Sequence, residues 1–354
     1  MTTVNLHDIR DPILRSDFPA FIQKCFHEVN GGTSYVHSWH IEALAYELER
    51  CRRGENTRLI ATQPPRSLKS LVTSIAWPAF ILGHDPSKRI IVASYSDQLA
   101  RKLGRDFRQI VRSNWYRRIF PGTVATKESE TEFETTRGGG RLAVSIGGTV
   151  TGLGGSIIVI DDPLKAEEAM SKSARNKAND YLSNTLYSRL DNKVTGVIVL
   201  VMQRLHPEDL AGCLLQQGGW HYLNLPAIAA RDERFDLGGG RFYDRKMGGV
   251  LQPVREPRST VDQTKRTLGS RYFQAQYQQE PVAETGNLIN RDWLRYYSVL
   301  PPRTGNTFTT QSWDTAMKAD QIHDYAVCTT WTANNEHHYL HDLVRRHCTY
   351  PVLL

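Results

Sequence analysis

The chain has 354 residues, enough for two domains with their own cores, and its 44 Lys and Arg against 37 Asp and Glu leave it at +7, a balance that fits a polyanionic partner without naming one. Its five cysteines (Cys25, Cys51, Cys213, Cys328, Cys348) are scattered, with no C-x-x-C pair, which suggests neither a zinc site nor a disulfide framework and points to a reducing compartment. The polar, mixed-charge residues 1–17 exclude a secretory signal, and apolar runs such as 197–202 are too short to span a bilayer, so the expected location is the cytoplasm.

Between about residues 35 and 225, short apolar strands alternate with helical patterns. In chain order the periodicity predicts a helix over 41–52, a strand over 59–62, a helix over 69–82, a strand over 89–94 and a helix over 97–112. Strands over 142–146 and 157–160 follow, then a helical stretch over 166–190, a strand over 197–202, a helix over 207–216 and a strand over 220–225. Several strands are unbroken β-branched runs, as in a parallel sheet buried on both faces, so the alternation predicts a doubly wound α/β sheet. Pro78, inside the second helical pattern, predicts a kink or an early end. Residues 226–285 differ: Asp236-Leu237-Gly238-Gly239-Gly240-Arg241 is followed by many prolines and charges and by two short helical patterns, 260–268 and 271–279. This stretch reads as a small subdomain closing the core domain. A boundary is expected at 280–286, after which strand patterns return over 307–312, 325–332 and 337–344.

The strand over 59–62 runs into Gln63-Pro64-Pro65-Arg66-Ser67-Leu68-Lys69-Ser70, and an apolar helix follows. This is the layout of a phosphate-binding loop: backbone N–H groups and a helix N-terminus face an anion, Lys69 adds a point charge, and the Ser70 hydroxyl is a Mg²⁺ ligand. The match to G-x-x-x-x-G-K-[ST] is partial, because Leu68 stands where the second glycine belongs and Gln63-Pro64-Pro65 replaces the region of the first. Nucleotide hydrolysis also requires carboxylates. Ile160-Asp161-Asp162-Pro163 supplies two at the carboxyl end of a strand, the end at which open α/β sheets bind ligands. Asp161 is expected to hold Mg²⁺ through water and Asp162 to act as general base; an Asp-Asp-Pro turn capping a strand is the plain alternative. The strand over 197–202 ends in Gln203-Arg204, each a candidate sensor of the γ-phosphate or simply a polar strand end. Loop and acidic pair together predict a P-loop (RecA/ASCE-like) ATPase domain with a mainly parallel sheet that binds ATP and Mg²⁺.

Joined by Ser94-Tyr95-Ser96, Thr149-Val150-Thr151-Gly152-Leu153-Gly154, Met202-Gln203-Arg204-Leu205-His206, Ala275-Gln276-Tyr277-Gln278-Gln279 and Gln311-Ser312-Trp313-Asp314-Thr315-Ala316, these motifs resemble the large subunit of a tailed-phage terminase, the DNA-packaging motor. The resemblance runs from about residue 36 to the end. The family's loop commonly reads P-P-R-x-G-K-S, from which Leu68 departs. The resemblance implies nucleotide contacts by Pro65, Arg66, Ser67, Leu68, Lys69 and Ser70, with Arg66 either reaching the γ-phosphate from within the same subunit or serving as a surface charge. It implies adenine contacts by Trp39 and His40, with core packing as the alternative for Trp39. It further implies double-stranded DNA, a portal protein and a small terminase subunit as partners, an oligomeric ring on the portal, and no membrane.

The family carries a second catalytic domain, an RNase H-like nuclease that uses two metal ions and several convergent carboxylates. Its first carboxylate corresponds here to Asp314, expected to be a catalytic metal ligand. None of Asp320, Asp324, Glu336 and Asp342 matches the later catalytic acids, so this domain is expected to be incomplete, from a fragment of a longer protein or a truncated gene. The plan that results is an ATPase core over 1–225, a linker subdomain over 226–285 and the beginning of a nuclease domain over 286–354, its three strands poorly stable alone. Two other readings stay open: a helicase-like DNA-remodelling ATPase, although little chain follows residue 225 to hold a second RecA-like domain, and an inactive prophage remnant.

Overall fold

Side-chain parity along a set of apolar strands organises the larger of two units into which the chain divides, Met1–Asn287 and Leu288–Leu354. The computed structural model describes residues 6–150, 154–282, 293, 295–299, 307–314, 326–334 and 337–346. Expectations for Thr151-Gly152-Leu153, for the boundary residues 283–286, and for Thr315, Ala316, Asp320, Asp324 and Glu336 lie outside the described residues.

The first unit carries β1 (Arg58–Thr62), β2 (Arg89–Ser94), β3 (Ala125–Glu128), β4 (Glu132–Thr135), β5 (Gly140–Ser145), β6 (Ile157–Asp161), β7 (Val197–Met202) and β8 (His221–Asn224). They form one sheet in the order β3-β4-β5-β2-β6-β7-β1-β8. From β5 to β8 the strands are parallel, and β3 and β4 add an antiparallel edge. This is a mainly parallel α/β sheet, as the alternation of strands and helices predicts. β7 is inserted between β1 and β6, with Thr62 opposite Met202 and Val201 opposite Asp161. The chain therefore leaves β6, β7 and β1 side by side inside the sheet, with their carboxyl ends adjacent.

Alternation along the strands sends Leu59, Ala61, Ile90, Val92 and Val199 to one face and Ile60, Ile91, Ile158, Ile160 and Leu200 to the other. The first face packs against α1 (Leu6–Ser16), α2 (Phe18–Val29), α3 (Trp39–Arg52), α4 (Trp77–His84), α5 (Asp97–Arg112) and α6 (Asn114–Ile119). The second packs against α7 (Lys172–Asp180) and α8 (Leu210–Gln217). Both faces are thus dry, which is why these strands read as unbroken apolar runs.

Pro78 does not end its helix. A π turn, Leu71–Ala76, leads directly into α4, with Pro78 in the first turn of α4. The Trp77 N–H donates five residues back to the Val72 carbonyl, Pro78 has no N–H to donate, and the Ser74 carbonyl accepts from Arg141 Nε and Nη2 at 3.3 and 3.1 Å. The stretch expected as one helix over 166–190 is broken into a 3₁₀ turn, α7, a π turn (Tyr181–Leu186) and a further 3₁₀ turn.

The residues after β8 form an antiparallel hairpin, β9 (Glu233–Gly238) and β10 (Arg241–Arg245), and two short helices, α9 (Arg258–Leu268) and α10 (Ser270–Gln276). Gly238, Gly239 and Gly240 all take positive φ in the hairpin turn, which side chains with a Cβ disfavour. Buried Arg245 ties this region together by donating to the carbonyls of Pro226, Ala227 and Gly249 at 2.8–3.2 Å. The second unit contains an antiparallel sheet, β11 (Phe308–Asp314), β12 (Ala326–Ala333) and β13 (His338–Arg346). Every residue of β11 is exposed.

Candidate active site

The loop after β1 starts with the Gln63 N–H donating to the Met202 carbonyl at 3.2 Å. Ser67 Oγ closes a turn onto the Pro64 carbonyl at 2.6 Å, and the Val72 N–H donates to the Leu68 carbonyl at 3.0 Å as the helix begins. Arg66 and Leu68 both adopt left-handed backbone, at φ 61° and 66°. This explains the glycine usual at the position of Leu68: the loop requires a positive φ there, and a bulky side chain bears strain in it. The half-buried Leu68 side chain packs against the main core, which offsets part of that strain. Residues alternating in this way turn successive N–H groups toward a common concavity suited to an anion.

Asp161 ends β6 and is fully buried. Its Oδ1 accepts from Ser70 Oγ at 3.0 Å and its Oδ2 from Ser74 Oγ at 2.7 Å. Burial first, and the charge of Asp162 second, push its pKa above the ordinary carboxylate range, against the opposing pull of Ser74, Lys69 and Ser70. Asp162 turns the chain through a left-handed conformation (φ 44°). Its Oδ2 lies 3.1 Å from Lys69 Nζ, and its Oδ1 accepts the Gln203 N–H at 3.1 Å. Lys69, Ser70, Asp161, Asp162 and Gln203 therefore come together from β1, β6 and β7. Gln203 Oε1 and both polar atoms of the Gln63 side chain are buried with no partner among the described residues, so this end of the strands holds polar capacity that the protein itself leaves unmet.

The other expected residues lie outside this cluster. Arg66 is exposed, and Pro65 is half-buried beside it; Arg66 lines a cleft of about 480 Å³ that also takes in Ser67, Leu68, Lys69, Ser70 and Arg255. Trp39 is packed in the core, stacked on Tyr243 at 4.4 Å with the Arg245 guanidinium 5.4 Å from its ring. His40 is buried against the loop, Nε2 lying 3.2 Å from the Ser67 carbonyl oxygen. Arg204, the second sensor candidate, is committed elsewhere: its buried guanidinium pairs with Asp209 at 2.9 Å. Asp314 ends β11 in the second unit and is exposed. No cluster of three or more His, Cys, Asp or Glu side chains that suits a metal occurs among the described residues.

Sequence reasoning missed Ser74, Arg141 and Arg255. Ser74 carries a readable signal, since it lies four residues after Ser70 and so on the same helical face. Arg141 and Arg255 reach the site region through tertiary structure alone.

The donor set suits a divalent cation. A buried carboxylate and an adjacent serine hydroxyl are hard oxygen ligands, and ionised Asp161 has no ion-pair partner within 4 Å among the described residues. A cation at this place would supply the missing charge.

No protein-family model and no curated protein matches this sequence. Among solved structures, the chain is similar to the large terminase of bacteriophage HK97, with a TM-score of 0.47 and 9% identity over 91% of this chain and 65% of that one. It is also similar to the large terminase of a thermophilic bacteriophage in complex with ADP, with a TM-score of 0.42 and 10% identity over 94% of this chain and 68% of that one. The same thermophilic-phage protein in complex with ATP-gamma-S gives a TM-score of 0.41 and 11% identity over 85% and 67%.

Proposed function

We propose that this chain is an ATP hydrolase driving double-stranded DNA translocation, the motor part of a terminase-like large subunit that packages a phage genome in the host cytoplasm. The observation that carries the reading is the convergence of Lys69, Ser70, Asp161, Asp162 and Gln203 at the carboxyl edge of the parallel sheet. The resemblance of its motifs to tailed-phage terminases supplies the DNA, the portal protein, the small terminase subunit and the ring-shaped assembly as partners.

In this reading the loop N–H groups and Lys69 take the phosphates of ATP, with Arg66 as the residue that reaches the γ-phosphate. Ser70 and Asp161 would hold Mg²⁺, Asp161 through water; the ion neutralises charge on the phosphate oxygens. The triphosphate draws the Lys69 ammonium from Asp162, and the freed carboxylate orients a water and accepts its proton. Gln203 holds Asp162 through its N–H, while the Arg204 N–H donates to Gln279 Oε1 at 2.9 Å. This chain of contacts leads from the site to the segment that precedes the second unit in sequence. DNA is gripped through its phosphates, so binding is salt-dependent and weakly sequence-specific. Asp314 serves as the first metal ligand of an RNase H-like nuclease.

The test is DNA-stimulated ATP hydrolysis by the unaltered chain, Lys69→Ala and Asp162→Ala. Lys69→Ala loses nucleotide binding. Asp162→Ala binds ATP without turning it over; persistent turnover would remove Asp162 as the base.

A further inference from the structure

The carbonyls of the loop are held from outside by two other elements. Arg255, in the turn over 251–256, donates from Nη1 to the Arg66 carbonyl. His40, in the first turn of α3, lies with Nε2 3.2 Å from the Ser67 carbonyl oxygen. A carbonyl only accepts, so Nε2 carries the proton. The buried ring stays neutral, its pKa lowered to about 4 chiefly by burial, and Nδ1 accepts from the Ser38 hydroxyl at 2.8 Å. Ser38 Oγ also lies 3.4 Å from the Leu251 carbonyl oxygen. The start of α3 and the turn carrying Arg255 therefore meet beside the loop.

A peptide group is planar, with its C=O and the next residue's N–H on opposite sides. Holding the Arg66 carbonyl outward turns the Ser67 N–H inward, and holding the Ser67 carbonyl does the same for the Leu68 N–H. With Arg66 and Leu68 left-handed, this completes a concave set of donors. We propose that Arg255 and His40 are positioning residues that hold the loop over 64–68 in its anion-binding shape, the turn over 251–256 acting as an external clamp. This rests on the nucleotide site proposed above. Movement of that turn then changes phosphate affinity without changing any residue that touches the phosphate, which gives the 226–285 region a direct handle on the loop.

The experiment uses the full chain as Arg255→Ala, Arg255→Lys, His40→Gln and Lys69→Ala, measuring ADP affinity by calorimetry, kcat and KM for ATP, and Tm. Arg255→Ala weakens ADP binding about tenfold, the worth of one charge-assisted hydrogen bond, and raises KM more than it lowers kcat. Its Tm stays put, because the side chain is 37% exposed. Lysine at 255 restores part of the affinity, since an ammonium also donates to one carbonyl, and glutamine at 40 retains a donor and most of the affinity. An Arg255→Ala protein that binds ADP as tightly as the unaltered chain, while Lys69→Ala does not bind, overturns the clamp alone. A lowered Tm without rescue by lysine marks Arg255 as merely structural and overturns it too. An unaltered chain that binds neither ADP nor ATP removes the proposed function and the clamp together.

Discussion

The Lys69 ammonium and the Asp162 carboxylate face each other at 3.1 Å, with side-chain exposures of 8% and 19%. Under the proposed function phosphate and carboxylate compete for one cation, and nucleotide binding has to break this pair. Removing the charge of Asp162 relieves the competition. Asp162→Asn should bind ADP several-fold more tightly while its nucleotide-free form loses about 1–3 kcal/mol, as expected for a partly buried ammonium left unpaired. The rise in Tm on adding ADP should therefore be larger in Asp162→Asn than in the unaltered chain, and equal rises would show that the pair does not oppose binding.

Leu68 makes a second prediction about the same loop. Left-handed backbone costs a non-glycine residue about 1–3 kcal/mol, while the half-buried leucine recovers part of this by packing. Alanine keeps the strain and loses the packing, whereas glycine loses the packing and the strain together. Leu68→Gly should consequently be more stable than Leu68→Ala by about 1 kcal/mol, the reverse of their order in a helix interior. Urea unfolding of the two variants reads this difference directly.

The parts of this architecture legible in the sequence are those where one local pattern decides the outcome. The strands at 89–94 and 197–202 are continuous apolar runs buried on both faces, and the structure has them at those bounds. Lys69, Asp161 and Asp162 were readable because each ends or follows such a run. The antiparallel edge, β3 and β4, was not readable, since four-residue strands of mixed polarity leave little periodicity. The β9–β10 hairpin left a signal in its triple glycine turn, but charges on both strands masked the alternation. Arg204 shows the limit at the site itself: its position at a strand end suggested a sensor, and only the folded chain brings Asp209 against its guanidinium.

His40 should make stability fall in acid. Its imidazole titrates at about 4 when folded and at about 6.5 when free. Between those values the unfolded chain binds the extra proton, so stability rises with pH across the window. The penalty is absent well above pH 6.5 and grows as pH falls toward 4, to a limit of about 3 kcal/mol. Denaturant unfolding at several pH values should show a shallower acid slope for His40→Gln than for the unaltered chain. Equal slopes would mean that the ring is protonated in the folded state.

Asp161 acts in the opposite sense. Its raised pKa means that the folded chain holds a proton the unfolded chain has released. Its stabilising contribution is complete below about pH 4, the ordinary carboxylate value, and is lost as pH rises through the folded value. Without metal, Asp161→Asn should therefore raise Tm at pH 8 by a few degrees and leave it nearly unchanged at pH 4, because the amide removes the buried charge. In the unaltered chain, Mg²⁺ binding at pH 6 should release protons, measurable by calorimetry in buffers of different ionisation enthalpy; Asp161→Asn should abolish that release.

Arg141 supports the same carboxylate from behind. Its guanidinium is buried over the Phe107 ring at 5.2 Å and donates to the Ser74 carbonyl, while the Ser74 hydroxyl donates to Asp161. Burial lowers its pKa to about 9, which still leaves it charged at neutral pH. Pro78, four residues on, has no N–H to offer this carbonyl. Arg141→Met should cost about 3 kcal/mol by leaving that carbonyl unpaired. Pro78→Ala restores an N–H at the right distance along the helix, so the double variant should cost about 1 kcal/mol less than the sum of the two singles. A strictly additive pair would break the proposed link between the proline, the guanidinium and the serine that donates to Asp161.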